Sequence, residues 1–193
     1  MKLYWTLKNF VIAMLLLLTV SMTHADELVG HISGFLGGKL LNNSDWPDDL
    51  SRHFSMGFIT DIKKESWPIS ISLDIMDTGG ERTHAGMKDL GHTTEYHFGV
   101  RKIFTNQDSK IKPYIGGGVS FMYAEQEYEV NNITTTQDGR DVGSWLGAGM
   151  YYEINPRFVL GLDVRYSNGE VTLFNKERDA GGINIGVTGG FQF

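Results

Sequence analysis

The stretch Ile183-Asn-Ile-Gly-Val-Thr-Gly-Gly-Phe-Gln-Phe193, at the carboxyl end of the chain, alternates between two kinds of residue. One set is apolar or glycine and comprises Ile183, Ile185, Val187, Gly189, Phe191 and Phe193. The other set is polar or small and comprises Asn184, Gly186, Thr188, Gly190 and Gln192. A period of two is that of a β-strand whose two faces lie in different environments. The stretch therefore predicts a strand with one apolar and one polar face, ending on two aromatic residues.

The amino end carries the features of an export signal. Lys2 and Lys8 precede an uncharged apolar run over residues 10–20. Thr23 and Ala25 are small residues at the two positions that signal peptidase recognises. The run is shorter than the roughly 20 residues of a membrane-spanning helix. We therefore expect residues 1–25 to be a cleaved signal peptide, rather than an anchor, and residues 26–193 to form one domain.

Composition narrows the class of the remaining chain. Loss of the two lysines lowers the basic count from 17 to 15 against 23 acidic residues, so the net charge falls from −6 to −8. This acidic balance argues against a nucleic-acid partner, since such partners are bound by basic patches. The chain has no cysteine, which excludes disulfides and thiolate metal sites. We predict no cofactor.

Seven further segments alternate in the same way and predict seven more strands. They cover residues 28–40, 49–62, 68–76, 92–104, 111–124, 142–154 and 157–167. The spacers alternate between short turns, at residues 63–67, 105–110 and 155–156, and long polar stretches, at residues 41–48, 77–91, 125–141 and 168–182. Short turns that alternate with long loops on an even number of strands are typical of transmembrane β-barrels. A soluble, lipocalin-like barrel is the alternative, and it would turn its apolar face inward.

Aromatic residues near the predicted strand ends fit the membrane interpretation. Transmembrane barrels carry girdles of aromatic side chains at both membrane interfaces. We expect the girdles to be formed by Tyr96, Tyr114, Tyr123, Tyr151, Tyr152, Trp145, Phe121, Phe158, Phe191 and Phe193.

Several segments resemble strands of small outer-membrane barrels such as the OmpX, OmpW and opacity-type surface-protein groups. These are Ile111-Lys-Pro-Tyr-Ile-Gly-Gly-Gly-Val119, Leu160-Gly-Leu-Asp-Val-Arg-Tyr166 and the closing strand. The resemblance implies an all-β, eight-stranded antiparallel barrel in the bacterial outer membrane, with Phe191 and Phe193 as the signal read by the barrel assembly machinery. It also implies a monomer whose partners are outer-membrane lipids and lipopolysaccharide.

The polar faces of the strands predict a charged lumen. An eight-stranded barrel is only wide enough for side chains to fill it, and buried charges must pair. We expect a lumen polar network of Asp74, Glu95, His97, Arg101, Asp163 and Arg165, with His31, His53 and Gln192 also facing inward. Arg165 is expected within reach of Asp74, Glu95 or Asp163. A narrow proton or solute path is the alternative, and the scattered histidines predict no metal site.

One segment resembles a catalytic motif. Arg165-Tyr-Ser-Asn-Gly169 is similar to the His-x-Ser-Asn sequence of the lipid A deacylases, which implies Ser167 as nucleophile and Glu177 or Asp179 as the acid behind the base. Arg165 stands where that family has its histidine, and a guanidinium does not accept the serine proton. We therefore predict no catalytic residue. Three functions stay open: a non-enzymatic surface barrel, a lipid A hydrolase, and a channel for small hydrophobic molecules.

Overall fold

The computed structural model describes residues 28–41, 52–84, 87–106, 108–130, 133–173 and 176–193. Residues 1–27, which include the predicted signal peptide, and residues 42–51, which include the first predicted loop beyond Leu41, lie outside this range. Among the described residues there is no helix with the length and apolar character needed to span a bilayer.

Eight long strands form one closed antiparallel barrel, as predicted. They are β1 (Leu28–Leu41), β2 (Arg52–Lys64), β3 (Ser70–His84), β4 (Met87–Ile103), β5 (Ile111–Val130), β6 (Ile133–Glu153), β7 (Phe158–Asn168) and β10 (Gly182–Gln192). Two short strands, β8 (Glu170–Leu173) and β9 (Lys176–Asp179), form a separate hairpin. Around the barrel the order is β1-β10-β7-β6-β5-β4-β3-β2, so β10 closes the ring against β1.

The barrel closes where β10, the carboxyl-terminal strand, pairs with β1. The β1–β10 ladder extends from His31↔Gln192 to Leu41↔Gly182. Beyond it, the backbones of Gly30 and Phe193 exchange two hydrogen bonds of 2.9 and 3.1 Å. The described start of β1 and Phe193 therefore lie at the same rim, together with the short turns.

Alternation places the apolar residues on the outer surface of the barrel. In β3, Ile71 and Leu73 are 42% and 43% exposed, whereas Ser72 and Asp74 between them are buried. Exposed apolar side chains recur at every second position around the ring, so the outer surface is an apolar belt. This is the arrangement of a barrel that faces lipid, since a soluble barrel buries that face inward.

Three of the residues expected in the aromatic girdles lie inside the barrel instead. Trp145, Tyr114 and Tyr151 are only 1%, 2% and 0% exposed. Their positions alternate with lipid-facing neighbours, and strand parity outweighs the preference of aromatic residues for the membrane interface. Inward glycines leave room for them: a Cβ at Gly149 would lie 2.5 Å from the Tyr114 hydroxyl.

Two of the predicted long loops are largely strand. The β3–β4 ladder continues to His84↔Met87 and the β5–β6 ladder to Val130↔Ile133. Paired polar residues in water need no apolar alternation, which explains why the sequence pattern ended early. The outer parts of β3, β4, β5 and β6 thus form a sheet, here called the protruding sheet, that extends beyond the apolar belt.

The fourth predicted long loop, residues 168–182, contains the β8–β9 hairpin. Val171 and Leu173 are buried in a mouth cluster that also includes Leu41, Met122, Ala124 and Ala180. A backbone hydrogen bond of 2.9 Å from Ala180 to Gly169 closes the base of the hairpin. The hairpin therefore covers the extracellular mouth of the barrel with apolar side chains.

Candidate functional site

Asp74 is the centre of the polar network inside the barrel. Its Oδ2 lies 2.9 Å from Nη2 of Arg101 and 2.8 Å from Nη1 of Arg165. Its Oδ1 accepts the backbone N–H of Thr60 at 2.9 Å. Asp74 is on β3 and Arg165 on β7, four strands apart in the ring of eight, so this ion pair spans the lumen. All three charged side chains are buried.

A second carboxylate, Asp61, anchors the network toward the rim with the short turns. It pairs with Arg101 at 3.2 Å and with Nδ1 of His31 at 3.0 Å. The Tyr151 hydroxyl donates to it at 3.2 Å, and the His31 ring stacks on the Tyr151 ring with centroids 4.5 Å apart. Buried charges of this kind are held in place because each has several partners.

The third part of the network joins β7 to β4. Nη1 of Arg165 lies 2.9 Å from Nδ1 of His97, and Nε2 of His97 lies 2.8 Å from Glu95. A guanidinium has only donors, so Nδ1 of His97 must accept and Nε2 must carry the proton that is donated to Glu95. His97 is therefore the neutral imidazole, fixed in one tautomer by its two neighbours.

Lys39 connects this network to the hairpin at the mouth. Its ammonium pairs with Glu95 of β4, three strands away in the ring, and donates to the backbone carbonyl of Ala180 at 2.6 Å. Both Lys39 and Glu95 are buried. One buried ammonium thus links a barrel wall, the polar network and the base of the β8–β9 hairpin.

Asp163 completes the network, and its charges can be counted. It accepts from the Tyr114 hydroxyl at 2.6 Å and from Arg165 at 3.4 Å. The carboxylates are Asp61, Asp74, Glu95 and Asp163, and the permanent cations are Lys39, Arg101 and Arg165. The carboxylates exceed the permanent cations by one.

The structure brings together all six residues that the sequence singled out for the lumen: Asp74, Glu95, His97, Arg101, Asp163 and Arg165. Sequence reasoning left out Lys39 and Asp61, although their parity places both on inward faces. It also left out the aromatic lining, in which Arg165 lies 4.8 Å above the Trp145 ring and Arg101 lies 4.9 Å above the Tyr114 ring.

The other inward residues occupy the two ends of the lumen. Gln192 donates to Glu153 at 2.9 Å beside Lys112, near the rim with the short turns. His53 is buried near the mouth, where its ring lies against Gly80. Among the described residues no group of histidines and carboxylates is arranged to hold a metal ion.

Ser167 lies apart from any base among the described residues. Its side chain is fully buried, and its hydroxyl has no hydrogen-bond partner among the described residues. Arg165, two positions earlier, is engaged by Asp74, Asp163 and His97. No base contacts the hydroxyl, so the described part of the chain shows no activated nucleophile there.

His92 lies on the outer surface, above the apolar belt. Its Nε2 is 2.6 Å from Asp77, and Thr94 donates to the same carboxylate at 3.3 Å. The hydrogen bond to Asp77 raises the pKa of His92 above its ordinary value, against partial burial, and the charges of Asp77 and Glu125 act in the same direction. The His92 imidazole therefore forms a surface ion pair with Asp77.

An acidic groove lies where β6 and β7 separate on the extracellular side. The ladder between them ends at Ser144↔Asn168, where β7 stops and β6 continues into the protruding sheet. The groove is lined by both strands and by the hairpin, and its charged lining residues are Asp141, Glu170, Glu177 and Asp179. No lysine or arginine lines it among the described residues.

These features define an outer-membrane β-barrel of eight strands, with an apolar outer belt and a lumen filled by charged and aromatic side chains. The chain matches the model of the outer membrane protein beta-barrel domain over residues 10–191. It belongs to that family, and its place is the bacterial outer membrane.

Solved structures show the same fold at low sequence identity. The attachment invasion locus protein Ail of Yersinia pestis, solved with the heparin analogue sucrose octasulfate, is similar with a TM-score of 0.57 at 11% identity, over 86% of this chain and 99% of that chain. Neisserial surface protein A is similar with a TM-score of 0.51 at 13% identity, over 86% and 94% of the two chains. The outer membrane protein OprG of Pseudomonas aeruginosa has a TM-score of 0.52 at 11% identity, over 86% and 94%. None of the curated proteins compared with the chain matches it.

Proposed function

We propose that the protein is a closed, non-enzymatic barrel that acts through its extracellular surface. The observation that carries this proposal is the ion pair of Arg165 and Asp74 across the lumen, with Arg101 on the same carboxylate. Opening a water path would separate these charges in a narrow interior, where an unpaired charge costs several kcal/mol, on the order of 3–5. The mouth cluster adds an apolar layer above the charged one.

The protruding sheet and the β8–β9 hairpin are the parts of the barrel that we expect to contact other molecules. The protruding sheet continues four strands beyond the belt, and the β8–β9 hairpin lies beside it over the mouth. Lipopolysaccharide and outer-membrane lipids are the proposed surroundings, with a role in surface binding or envelope integrity. The sulfated ligand of Ail is not carried over to this chain, because the groove beside β6 is lined with carboxylates, which repel sulfate.

The two other candidate functions have less support. A lipid A hydrolase needs a neutral base at the Ser167 hydroxyl, and no partner contacts that hydroxyl among the described residues. A channel for small hydrophobic molecules needs an open apolar entrance. The apolar residues at the mouth are buried against one another instead.

Two measurements, one on cells and one on vesicles that contain the purified protein, test the proposal. Cells that produce the wild-type protein or Ser167→Ala should have lipid A of the same mass as cells without it, because no acyl chain is hydrolysed. Vesicles that contain the purified wild-type protein should retain small sugars as well as protein-free vesicles do. An acyl chain lost only with wild-type protein would establish the hydrolase, and rapid sugar release would establish a channel.

A further inference from the structure

The short turn between β2 and β3 holds two lysine side chains at the rim opposite the mouth. A backbone hydrogen bond of 2.9 Å from the N–H of Trp67 to the carbonyl of Lys64 closes the turn. Lys63 of β2 donates to the backbone carbonyl of Trp67 at 3.0 Å. Lys102 of β4 reaches the same turn and donates to the backbone carbonyl of Pro68 at 2.8 Å. Strands on both sides of β3 therefore each bring an ammonium group to this turn.

Lys102 lies on the outer surface, at the edge of the apolar belt. The residue before it, Arg101, points into the lumen, and Val100, the next outward residue of β4, is exposed. Its ladder partner on β5 is Ile115, which is also exposed. On β3, exposed Ile69 immediately precedes the last residue that pairs with β4. Lipid-facing side chains on three strands therefore surround Lys102, at the level where acyl chains meet headgroups.

Trp67 adds an aromatic ring to the two lysines. Its side chain is 42% exposed, in the turn whose carbonyls the lysines bind. Tryptophan is favoured at membrane interfaces because its ring is apolar and its N–H can bond to polar groups. Short turns face the periplasm in outer-membrane barrels. Trp67, Lys63 and Lys102 therefore lie where the headgroups of the inner leaflet surround the barrel.

Both ammonium groups keep donors for a ligand. An ammonium group has three N–H donors, and the contact with a backbone carbonyl uses one of them. Within the part of the chain that the structure describes, neither Lys63 nor Lys102 pairs with a carboxylate. Glu65, the carboxylate of the same turn, is exposed. A phosphodiester supplies both the negative charge and the acceptor oxygens that these donors can bind.

We propose that Lys63, Lys102 and Trp67 form a binding site for the headgroup of a negatively charged phospholipid in the inner leaflet. The phosphodiester oxygens accept from the two ammonium groups, and the Trp67 ring packs on the glycerol end of the lipid. The acyl chains run along Ile69 and Ile115. A zwitterionic headgroup binds more weakly, because the lysines repel its own ammonium group. This inference goes beyond the proposed function, which concerns the extracellular end of the barrel.

Native mass spectrometry of the full protein, refolded into detergent micelles, tests the preference for negative charge. Phosphatidylglycerol and phosphatidylethanolamine with identical acyl chains are added in separate titrations. The first molecule of phosphatidylglycerol should bind at about a tenfold lower concentration, because each lysine near a membrane surface strengthens the attraction of negative charge. Equal binding of the two lipids would contradict the proposal. Soluble glycerol phosphate at the same concentration should leave the lipid bound, and displacement by it would show a site for free phosphate instead.

Paired substitutions test whether the site lies at this turn. Lys63→Gln with Lys102→Gln should weaken binding of phosphatidylglycerol about tenfold, because both ammonium contacts are lost. Lys110→Gln with Arg157→Gln makes the same change of charge at other exposed turns of the same rim and should leave affinity within about twofold. Equal weakening by the two pairs would reduce the effect to general charge attraction and overturn the assignment.

A change of opposite sign is expected from Glu65→Gln. Glu65 is the one carboxylate within residues 63–68, so its removal should strengthen binding of phosphatidylglycerol about two- to threefold. Asp108→Asn removes a carboxylate from another exposed turn of this rim and should leave affinity unchanged. Equal affinity of these two variants would contradict the proposal, and this comparison still decides the question if the lysine pair does not fold. A conducting barrel would refute the proposed function without changing these lipid titrations.

Discussion

The membrane-level lumen and the extracellular mouth are both filled, but by different chemistry. At membrane level, Asp74 joins guanidinium groups from two other strands, and the surrounding aromatic rings leave little space. At the mouth, Leu173 and Val171 of the hairpin lie in one apolar cluster with Met122 and Leu41. The first filling is built from the barrel wall itself, and the second is added by a segment between β7 and β10.

The difference between the charged network and the mouth cluster predicts how each should respond to a substitution. Loss of one member of the charged layer removes a partner from buried charges on several strands, so its effect should extend to the whole barrel. An apolar layer carried by a hairpin can separate from the barrel locally, since a short hairpin is held mainly by its packing. Lys39 is the connection between the layers, because it contacts both Glu95 and the carbonyl of Ala180.

The largest effect is expected from Asp74→Ala. Removal of this carboxylate leaves Arg101 and Arg165 close together without their shared partner, and the free energy of unfolding should fall by about 3–5 kcal/mol. Urea titration of the protein refolded into lipid vesicles measures this. Asp108→Ala, at an exposed turn, is the matched control and should change it by less than about 0.5 kcal/mol. Equal effects of the two variants would contradict the central role of Asp74.

A smaller and local effect is expected from Leu173→Ala. The cavity left in the mouth cluster costs about 2–3 kcal/mol. Amide hydrogen exchange in the hairpin should then accelerate about 30- to 150-fold, while exchange in β7 and β10 stays slow. Thr172→Ala, on the exposed face of the same strand, should leave exchange unchanged. Faster exchange throughout the barrel would show that the two layers are not separate units.

The smallest effect concerns the surface pair of His92 and Asp77. The pKa of His92 is raised from 6.5, so its stabilisation is complete below pH 6.5 and is lost as the pH rises through the higher folded value. The pair is partly exposed, so this contribution is at most about 1 kcal/mol. NMR titration of the imidazole should give a pKa above 6.5, and Asp77→Asn should lower it. An unchanged pKa of His92 in Asp77→Asn would show that Asp77 does not stabilise the protonated imidazole.

Alternation in the sequence predicted the barrel, its strand number and the inward face of each lumen residue, because side-chain direction depends only on parity along a strand. The same parity places Tyr114, Trp145 and Tyr151 inside the barrel, although their residue type favours the membrane interface. Pairing across the lumen was harder to predict. The contact between Arg165 and Asp74 depends on the stagger of eight strands, which no single strand encodes.

The protruding sheet and the β8–β9 hairpin were not predicted. Their residues are polar on both faces or change between faces, so no periodic apolar pattern indicates a strand there. Val171 and Leu173 are the exception, because two apolar residues at alternate positions within a polar stretch indicate a short strand with one buried face, which is β8.

Planar-bilayer recording of the wild-type protein tests the central claim most directly. We expect no stable conductance above that of the lipid alone, because the charged layer and the mouth cluster both fill the lumen. Stable, large open-channel currents from the correctly folded wild-type barrel would contradict it.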